Sequence, residues 1–290
     1  EHGDIFVVPA RGGRMRRLTR TSGPKHAPAW SPDGRHIAYL GHTRFPDTVE
    51  NVHVWVVPAG RGAERDLCPA ADLMCEDVLL SDAREFGAGG GPPPVWSADG
   101  RRLFFLASRH GEVNVWEVGA RGGAPAQRTF GAHEIADFTQ SATGGRWAFL
   151  RLSPLSPGDI FLATALRAPA RQAATPAPRA ASVPPGQLVE SQPLVAGAEV
   201  RRLSRANQAL FRQRRLFAPE AVPIPCAAGH TIQGWILRAD AGRQRRPAVL
   251  ALHGGPYAMY GWSFFLEFQV LAGRGWHVVY TNPRGSAGYG

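Results

Sequence analysis

Residues 251–261 read ALHGGPYAMYG, and residues 282–290 read NPRGSAGYG. The first stretch sets His253, Gly254, Gly255 and Pro256 directly behind an apolar run, AVLAL at 248–252. Glycine at the end of a strand lets a backbone N–H approach an incoming oxygen, because no Cβ stands in the way. An N–H aimed at a developing oxyanion favours acyl transfer, and losing one such donor costs about 2.7–4 kcal/mol. Open α/β sheets bind ligands at the carboxyl ends of their strands. The loop after the third strand of an α/β-hydrolase supplies one of these donors. Gly254 and Gly255 are therefore the candidate catalytic backbone, and a tight structural turn is the competing reading.

The flanking elements support that placement. TIQGWILR at 231–238 predicts a strand, and AVLAL is apolar on both faces, as a buried central strand requires. Residues 262–274 fit a helix ending near Gly273 or Gly275, and WHVVY at 276–280 predicts a second buried strand. Strand, helix and strand at these lengths imply a parallel α/β sheet. Before them, Asn207–Leu216 reads as a helical connector, and Pro219, Pro223 and Pro225 as the breakers that end it.

The first two thirds of the chain repeat. WSPDGRHIAYL at 30–40 returns as WSADGRRLFFL at 96–106 and, altered, as SATGGRWAFL at 141–150. DIFVVPARGG at 4–13 returns at 53–62, 114–123 and 159–166, and MRRLTR at 15–20 is echoed by VRRLSR at 200–205. Asp33-Gly34 and Asp99-Gly100 are turn pairs that tolerate positive φ. Four short strands per repeat predict blades of a β-propeller. Only three blades and part of a fourth are expected, and with Glu1 in place of a starting Met, more chain is expected upstream. The division is residues 1–205, the C-terminal blades of a partial β-propeller, and residues 206–290, a connector and the N-terminal part of an α/β-hydrolase domain. Residues 66–95 and the Ala/Pro-rich tract 167–196 read as insertions.

The formal net charge is +10, nearly all from arginine, since Lys25 is the sole lysine. Arginines gather around Arg201, Arg202, Arg205, Arg212, Arg214 and Arg215 without the stacking aromatics of a nucleic-acid module. Nucleic acid is thus not an expected partner, and no apolar run reaches the roughly eighteen residues of a membrane helix. Cys68, Cys75 and Cys226 form no even framework and no C-x-x-C pair, which favours reduced thiols and a cytoplasmic setting. With no H-E-x-x-H and no Cys/His cluster, neither a metal nor a cofactor is expected.

The chain resembles the prolyl oligopeptidase family of serine peptidases, in its acylaminoacyl-peptidase and dipeptidyl-peptidase-like branch. LHGGPYAMYG at 252–261, LAGRGWHVVYTNPRGSAGYG at 271–290 and GHTIQGWILR at 229–238 carry the likeness, together with WSPDGR and WSADGR. The resemblance implies a propeller that caps an α/β-hydrolase and admits short peptides, cleaved through an acyl-enzyme. It implies a Ser, Asp, His triad, none of which is present here. Ser286 follows Arg284-Gly285, which fails G-x-S-x-G, and His253 comes too early to close a triad in that order. Other branches carry an oxyanion-donating tyrosine where this chain has His253, which leaves the Gly255 N–H as the donor. His253, Tyr257 and Arg284 become candidate substrate-binding residues, and Asn282, Arg284 and Gly285 a structural turn beneath the site. The rival functions are a non-catalytic propeller-based binding protein and an esterase of the same hydrolase class.

Overall fold

The computed structural model describes residues 3–43, 50–83, 91–164, 182–183, 195, 198–226, 229–239, 245–255 and 257–289. Its N-terminal part is a succession of antiparallel meanders. β1 (Phe6–Val7) pairs with β2 (Arg16–Arg17), and β3 (Lys25–Trp30), β4 (His36–Gly41), β5 (His53–Pro58) and β6 (Arg65–Asp66) form a four-stranded sheet. β7 (Val95–Trp96), β8 (Arg102–Arg109), β9 (Glu112–Gly119) and β10 (Ala126–Gln127) repeat that order. β11 (Glu134–Gln140), β12 (Arg146–Ser153), β13 (Ser156–Thr164) and β15 (Val200–Arg202) do so again, joined to β9 by the parallel bridge Glu134↔Val113. Among the described residues these sheets do not close into a ring.

The repeated turns have one physical cause. Gly34 and Gly100 take φ of 68° and 66°, a region that excludes most side chains. In each, the preceding Asp accepts from a serine hydroxyl and a backbone N–H: Ser31 Oγ and Arg35 N on Asp33, Ser97 Oγ and Arg101 N on Asp99. The turn therefore saturates its own polar groups and delivers the next strand in register.

The C-terminal part is a mixed sheet in the order β17 (Pro219–Pro225), β18 (Thr231–Leu237), β20 (His277–Thr281), β19 (Ala248–Leu252). β19 and β20 run parallel and are linked through α2 (Leu266–Gly273); α1 (Gln208–Phe211) and the pair β14 (Ser182–Val183)–β16 (Leu216–Phe217) precede the sheet. Three expectations are corrected here. The connector helix is four residues long, not the length of Asn207–Leu216. Pro219, Pro223 and Pro225 lie inside a strand rather than ahead of one. Their even spacing turns each missing N–H to the same side, and β17 pairs only with β18, so the ladder loses no bond. β19, read as a buried central strand, is an edge strand with Leu250 and Leu252 exposed at 60% and 65%. α2 covers only the face of Ala251, packing Phe268 and Ala272 against Trp235, Val278 and Tyr280.

Residues 66–83, part of the stretch read as an insertion between repeats, contribute to the core. Leu67, Cys68, Met74, Cys75 and Leu79 are buried with the meander strands. Leu79 then bridges to Met259 in parallel, and Leu80 N donates to Met259 O at 2.9 Å. The Asp82 carboxylate accepts the N–H groups of Leu266 and Glu267 at 2.7 and 2.9 Å, capping α2 from 184 residues away. The tract 167–196 lies outside the described residues except for 182–183 and 195. No helix among the described residues is long and apolar enough to cross a membrane.

A second join is the β8–β9 hairpin tip. Trp262 N donates to Gly111 O at 2.8 Å, and a Cβ on Gly261 would stand 2.1 Å from that same oxygen. Beside it, burial pushes the half-buried Glu112 carboxyl up to about 7, opposed by the Arg109 charge.

Two outcomes test these joins. Asp82→Ala is expected to cost about 1 kcal/mol of stability in urea unfolding, the usual price of a lost cap. The Glu112 value lies above its unfolded range, so folding takes up a proton and stability falls as pH rises from about 4.5 through about 7. Glu112→Gln should therefore be neutral near pH 4.5 and stabilising, on the order of 2 kcal/mol, at pH 8.

Candidate active site

β19 runs into the loop 253–261, and the loop is tied down everywhere except at its apex. His253 sits against the ring of Tyr260, centroids 5.3 Å apart and nearly perpendicular. Its Nε2 is 2.9 Å from Ser286 Oγ and its Nδ1 3.0 Å from the Gly254 carbonyl. Ser286 Oγ also reaches the Pro283 carbonyl at 2.7 Å. The pair thus staples the first loop residue to the turn that follows β20. Ala287 N donates to Ala258 O at 3.1 Å, a second staple.

Asn282 supplies the strongest tie. Its Oδ1 accepts Tyr260 N at 2.7 Å, while its Nδ2 donates to Tyr260 O at 2.8 Å and to Tyr289 Oη at 2.6 Å. Asn282 is 3% exposed, so these bonds replace water rather than compete with it. Tyr260 is held further by Phe265, Phe268 and Tyr280, with centroids 5.4–5.8 Å away. Tyr289 stacks on His110 at 5.4 Å and donates to Gln233 Oε1, whose Nε2 bonds the His110 carbonyl at 3.1 Å. The hairpin tip and the site loop therefore share one network.

The apex is different. Gly254, Gly255 and Tyr257 are exposed, Tyr257 at 50%. Gly255 has φ of +144°, and a Cβ there would lie 3.0 Å from Tyr257 N. Gly254 has open space at that position and no positive φ. Gly255 is thus an exposed residue at a strand end whose N–H makes no hydrogen bond among the described residues. Arg284 stands on the adjoining turn, exposed, with no side-chain hydrogen bond or ion pair among the described residues. A cleft of about 610 Å³ lies elsewhere, between the turns of Ser31–Asp33 and Trp96–Gly100. Besides those turns it is lined by His36, Val56 and Arg65 of β4, β5 and β6, and its serine–aspartate contact is the one that holds the Ser31–Asp33 turn.

Sequence reasoning missed four participants. Asp82 and the 78–80 segment support the loop from far away in the chain, with no local signal. Tyr260 has none beyond its aromatic type. The His253–Ser286 contact spans 33 residues and follows only from β19 and β20 being parallel neighbours.

No protein-family model matches the chain. It is 26% identical to the uncharacterized peptidase YuxL of Bacillus subtilis, over all of this chain and 47% of that protein. It is 22% identical to dipeptidyl-peptidase 5 of Porphyromonas gingivalis, over all of this chain and 36% of that protein. Among solved structures, acylaminoacyl peptidase of Pyrococcus horikoshii superposes with a TM-score of 0.66 at 20% identity, over 99% of this chain and 36% of its own. An acylaminoacyl peptidase in complex with Z-Gly-Gly-Phe-chloromethyl ketone gives 0.67 at 20% identity, over 99% of this chain and 36% of its own. The chain thus spans less than half the length of these relatives. The solved structures share its fold, that of peptidases joining a propeller to an α/β-hydrolase. The named relatives are peptidases, and they support the resemblance to the prolyl oligopeptidase family.

Asn282→Ala is expected to leave both polar groups of the Tyr260 peptide unpaired inside the protein. A loss of about 2–4 kcal/mol in denaturant unfolding should follow, with Asn282→Asp less damaging because it keeps the acceptor.

Proposed function

From this likeness to prolyl oligopeptidase-family peptidases, we propose that the chain carries the oxyanion donor and part of the substrate gate of a serine peptidase acting on short peptides. The carrying observation is the exposed, unengaged Gly255 N–H on a loop fixed at the carboxyl edge of β19. In this reading the meanders of residues 1–205 are three blades and part of a fourth in a β-propeller. Residues 206–290 begin the α/β-hydrolase domain. The propeller restricts entry to short chains, acylaminoacyl- or dipeptidyl-peptidase-like substrates.

The mechanism follows from the geometry. A substrate carbonyl oxygen lies against the Gly255 N–H, with Gly254 giving the backbone room to approach. A serine outside these 290 residues attacks the carbonyl carbon, and charge collects on the oxygen facing that amide. The peptide nitrogen takes a proton and leaves, and water then releases the acyl group from the serine. Tyr257 and Arg284 flank the approach and contact the substrate, while His253 shapes the loop from below. No step calls for a metal or a cofactor. The free thiols of Cys68, Cys75 and Cys226 fit a cytoplasmic setting.

The test uses the longer protein that contains this chain, with acyl-aminoacyl and dipeptidyl p-nitroanilides beside a simple p-nitrophenyl ester. Amide hydrolysis and covalent labelling by a fluorophosphonate are expected, and residues 1–290 alone should show neither. Gly255→Ala keeps the N–H but puts a Cβ at a φ of +144° and 3.0 Å from Tyr257 N, so the amide must turn and kcat/KM should fall about 10-fold or more, while Gly254→Ala stays within a few-fold. Ester cleavage without amide cleavage, or an undiminished Gly255→Ala enzyme, would refute the reading.

A further inference from the structure

The β3–β6 meander holds a group of side chains for which the peptidase reading has no use. The registers Phe6↔Arg17, Trp55↔Asp66, Trp116↔Gln127 and Phe161↔Arg202 bring the four outer hairpins into alignment. Two residues before the first partner stand Asp4, His53, Asn114 and Asp159. Two residues after the second stand Thr19, Cys68, Thr129 and Ser204. In three copies the hydroxyl crosslinks the strands. Thr19 donates to Asp4 at 2.8 Å, Thr129 to Asn114 at 2.9 Å and Ser204 to Asp159 at 2.7 Å. Each hydroxyl also accepts a backbone N–H, from Ile5, Val115 and Ile160.

In the β5–β6 copy these two positions carry His53 and Cys68, and Asp66 stands at the register position where the other copies have Arg17, Gln127 and Arg202. The ligand atoms of His53, Asp66 and Cys68 all lie within 4.8 Å of one another. The loop that follows returns Cys75, with its Sγ 3.9 Å from Cys68 Sγ; it stands outside the group of three and must swing toward His53 and Asp66 to complete a four-ligand set. A thiol is a weak hydrogen-bond donor and a poor replacement for the hydroxyl of the other copies. In this copy the cross-strand bond is made by His53 and Asp66 instead, at 2.7 Å, and the Cys68 thiol takes no part in it. Both cysteines are buried, at 1% and 0% exposure, whereas His53 and Asp66 reach the surface with 16% and 17% of their side chains. That open side is an entry path. An outer contact is also in place: Cys68 N donates to Asp66 Oδ1 at 2.8 Å.

We propose that His53, Asp66, Cys68 and Cys75 form a binding site for a thiophilic divalent cation of the Zn²⁺ type. Zn–S bonds of about 2.3 Å set two thiolates of a tetrahedral site about 3.8 Å apart, against the 3.9 Å observed. Nitrogen and oxygen ligands at about 2.0–2.1 Å sit about 3.3 Å apart. The His53 Nδ1–Asp66 Oδ2 pair, at 2.7 Å, is hydrogen-bonded and must open as the ion replaces the shared proton. The two thiol protons leave to solvent on binding. The ion would pin the loop 68–75, which continues directly into the 78–82 segment holding Met259 and α2.

The experiment titrates the full chain, reduced and under anaerobic conditions, with Co²⁺ and then Zn²⁺, read by absorption. One equivalent of Co²⁺ should produce a thiolate charge-transfer band and the strong visible bands of a four-coordinate ion, both removed by Zn²⁺. Cys68→Ser and Cys75→Ser should lose the charge-transfer band. His53→Gln and Asp66→Asn, nearer the surface, should keep native far-UV dichroism and bind more than about 10-fold more weakly. Cys226→Ser should change nothing. A weak six-coordinate spectrum overturns the proposal, as does a band lost only in Cys226→Ser. So does a reduced protein that takes up no metal and instead oxidises to a Cys68–Cys75 disulfide in air.

Discussion

An amide that is to meet a substrate oxygen must be held in place by bonds other than its own. That requirement organises the 253–261 loop. Fixing a backbone residue costs about 1–2 kcal/mol of conformational entropy, and the Gly255 apex contributes no internal bond to offset it. The compensation is collected on either side. Asn282 grips both polar groups of the Tyr260 peptide, His253 reaches Ser286, and Tyr260 buries its ring among Phe265, Phe268 and Tyr280. Each is an ordinary contact of about 1 kcal/mol or somewhat more. Together they immobilise a loop whose exposed tip remains unsatisfied.

The same logic explains why the sheet and the meanders are joined backbone to backbone. Gly111 and Gly261 approach so closely that a Cβ on Gly261 would lie inside the contact distance of Gly111 O, and the Trp235 ring closes over Gly111. A junction built from long side chains would leave rotamer freedom between the two parts. One built from main chain and a capping carboxylate leaves little. Asp82 extends the principle: a carboxylate from the meander side satisfies two N–H groups at the start of the helix that follows the loop. Movement of the meanders would therefore be felt at α2 and at Met259.

Parts of this were legible in the sequence and parts were not, for physical reasons. Asp33-Gly34 and Asp99-Gly100 specify their turns locally, because the serine, the carboxylate and the positive φ all belong to one pentapeptide. HGG behind AVLAL marked a strand end for the same reason. Pro219, Pro223 and Pro225 misled because proline breaks helices and central strands alike. Their even spacing, which fits an edge, carries meaning only once the neighbour is known. The AVLAL strand misled because a run apolar on both faces was taken to be covered on both, and one face of β19 has no layer over it among the described residues. Asp82, His110 and Ser286 were invisible because their partners are brought to them by topology, not by spacing.

The cysteines show the limit most sharply. Cys68 and Cys75 have no metal-binding spacing and His53 stands well upstream, so a scan for local motifs returns nothing. Comparison among the repeats does return something. Where the other hairpins pair a carboxylate or amide with a hydroxyl, this one carries imidazole and thiol, with a carboxylate between them where the others have arginine or glutamine. The DIFVV-like half of the unit is recognisable at 53–57, but its MRRLTR partner survives at 64–69 only as ERDLCP, too altered to align by eye. A repeated scaffold holds its shape through its ladders and buried strands, so a single copy can exchange its crosslink without losing the register. The copy that departs from the pattern while keeping its backbone is thus the informative one. Here the departure falls beside the segment that anchors the candidate active-site loop.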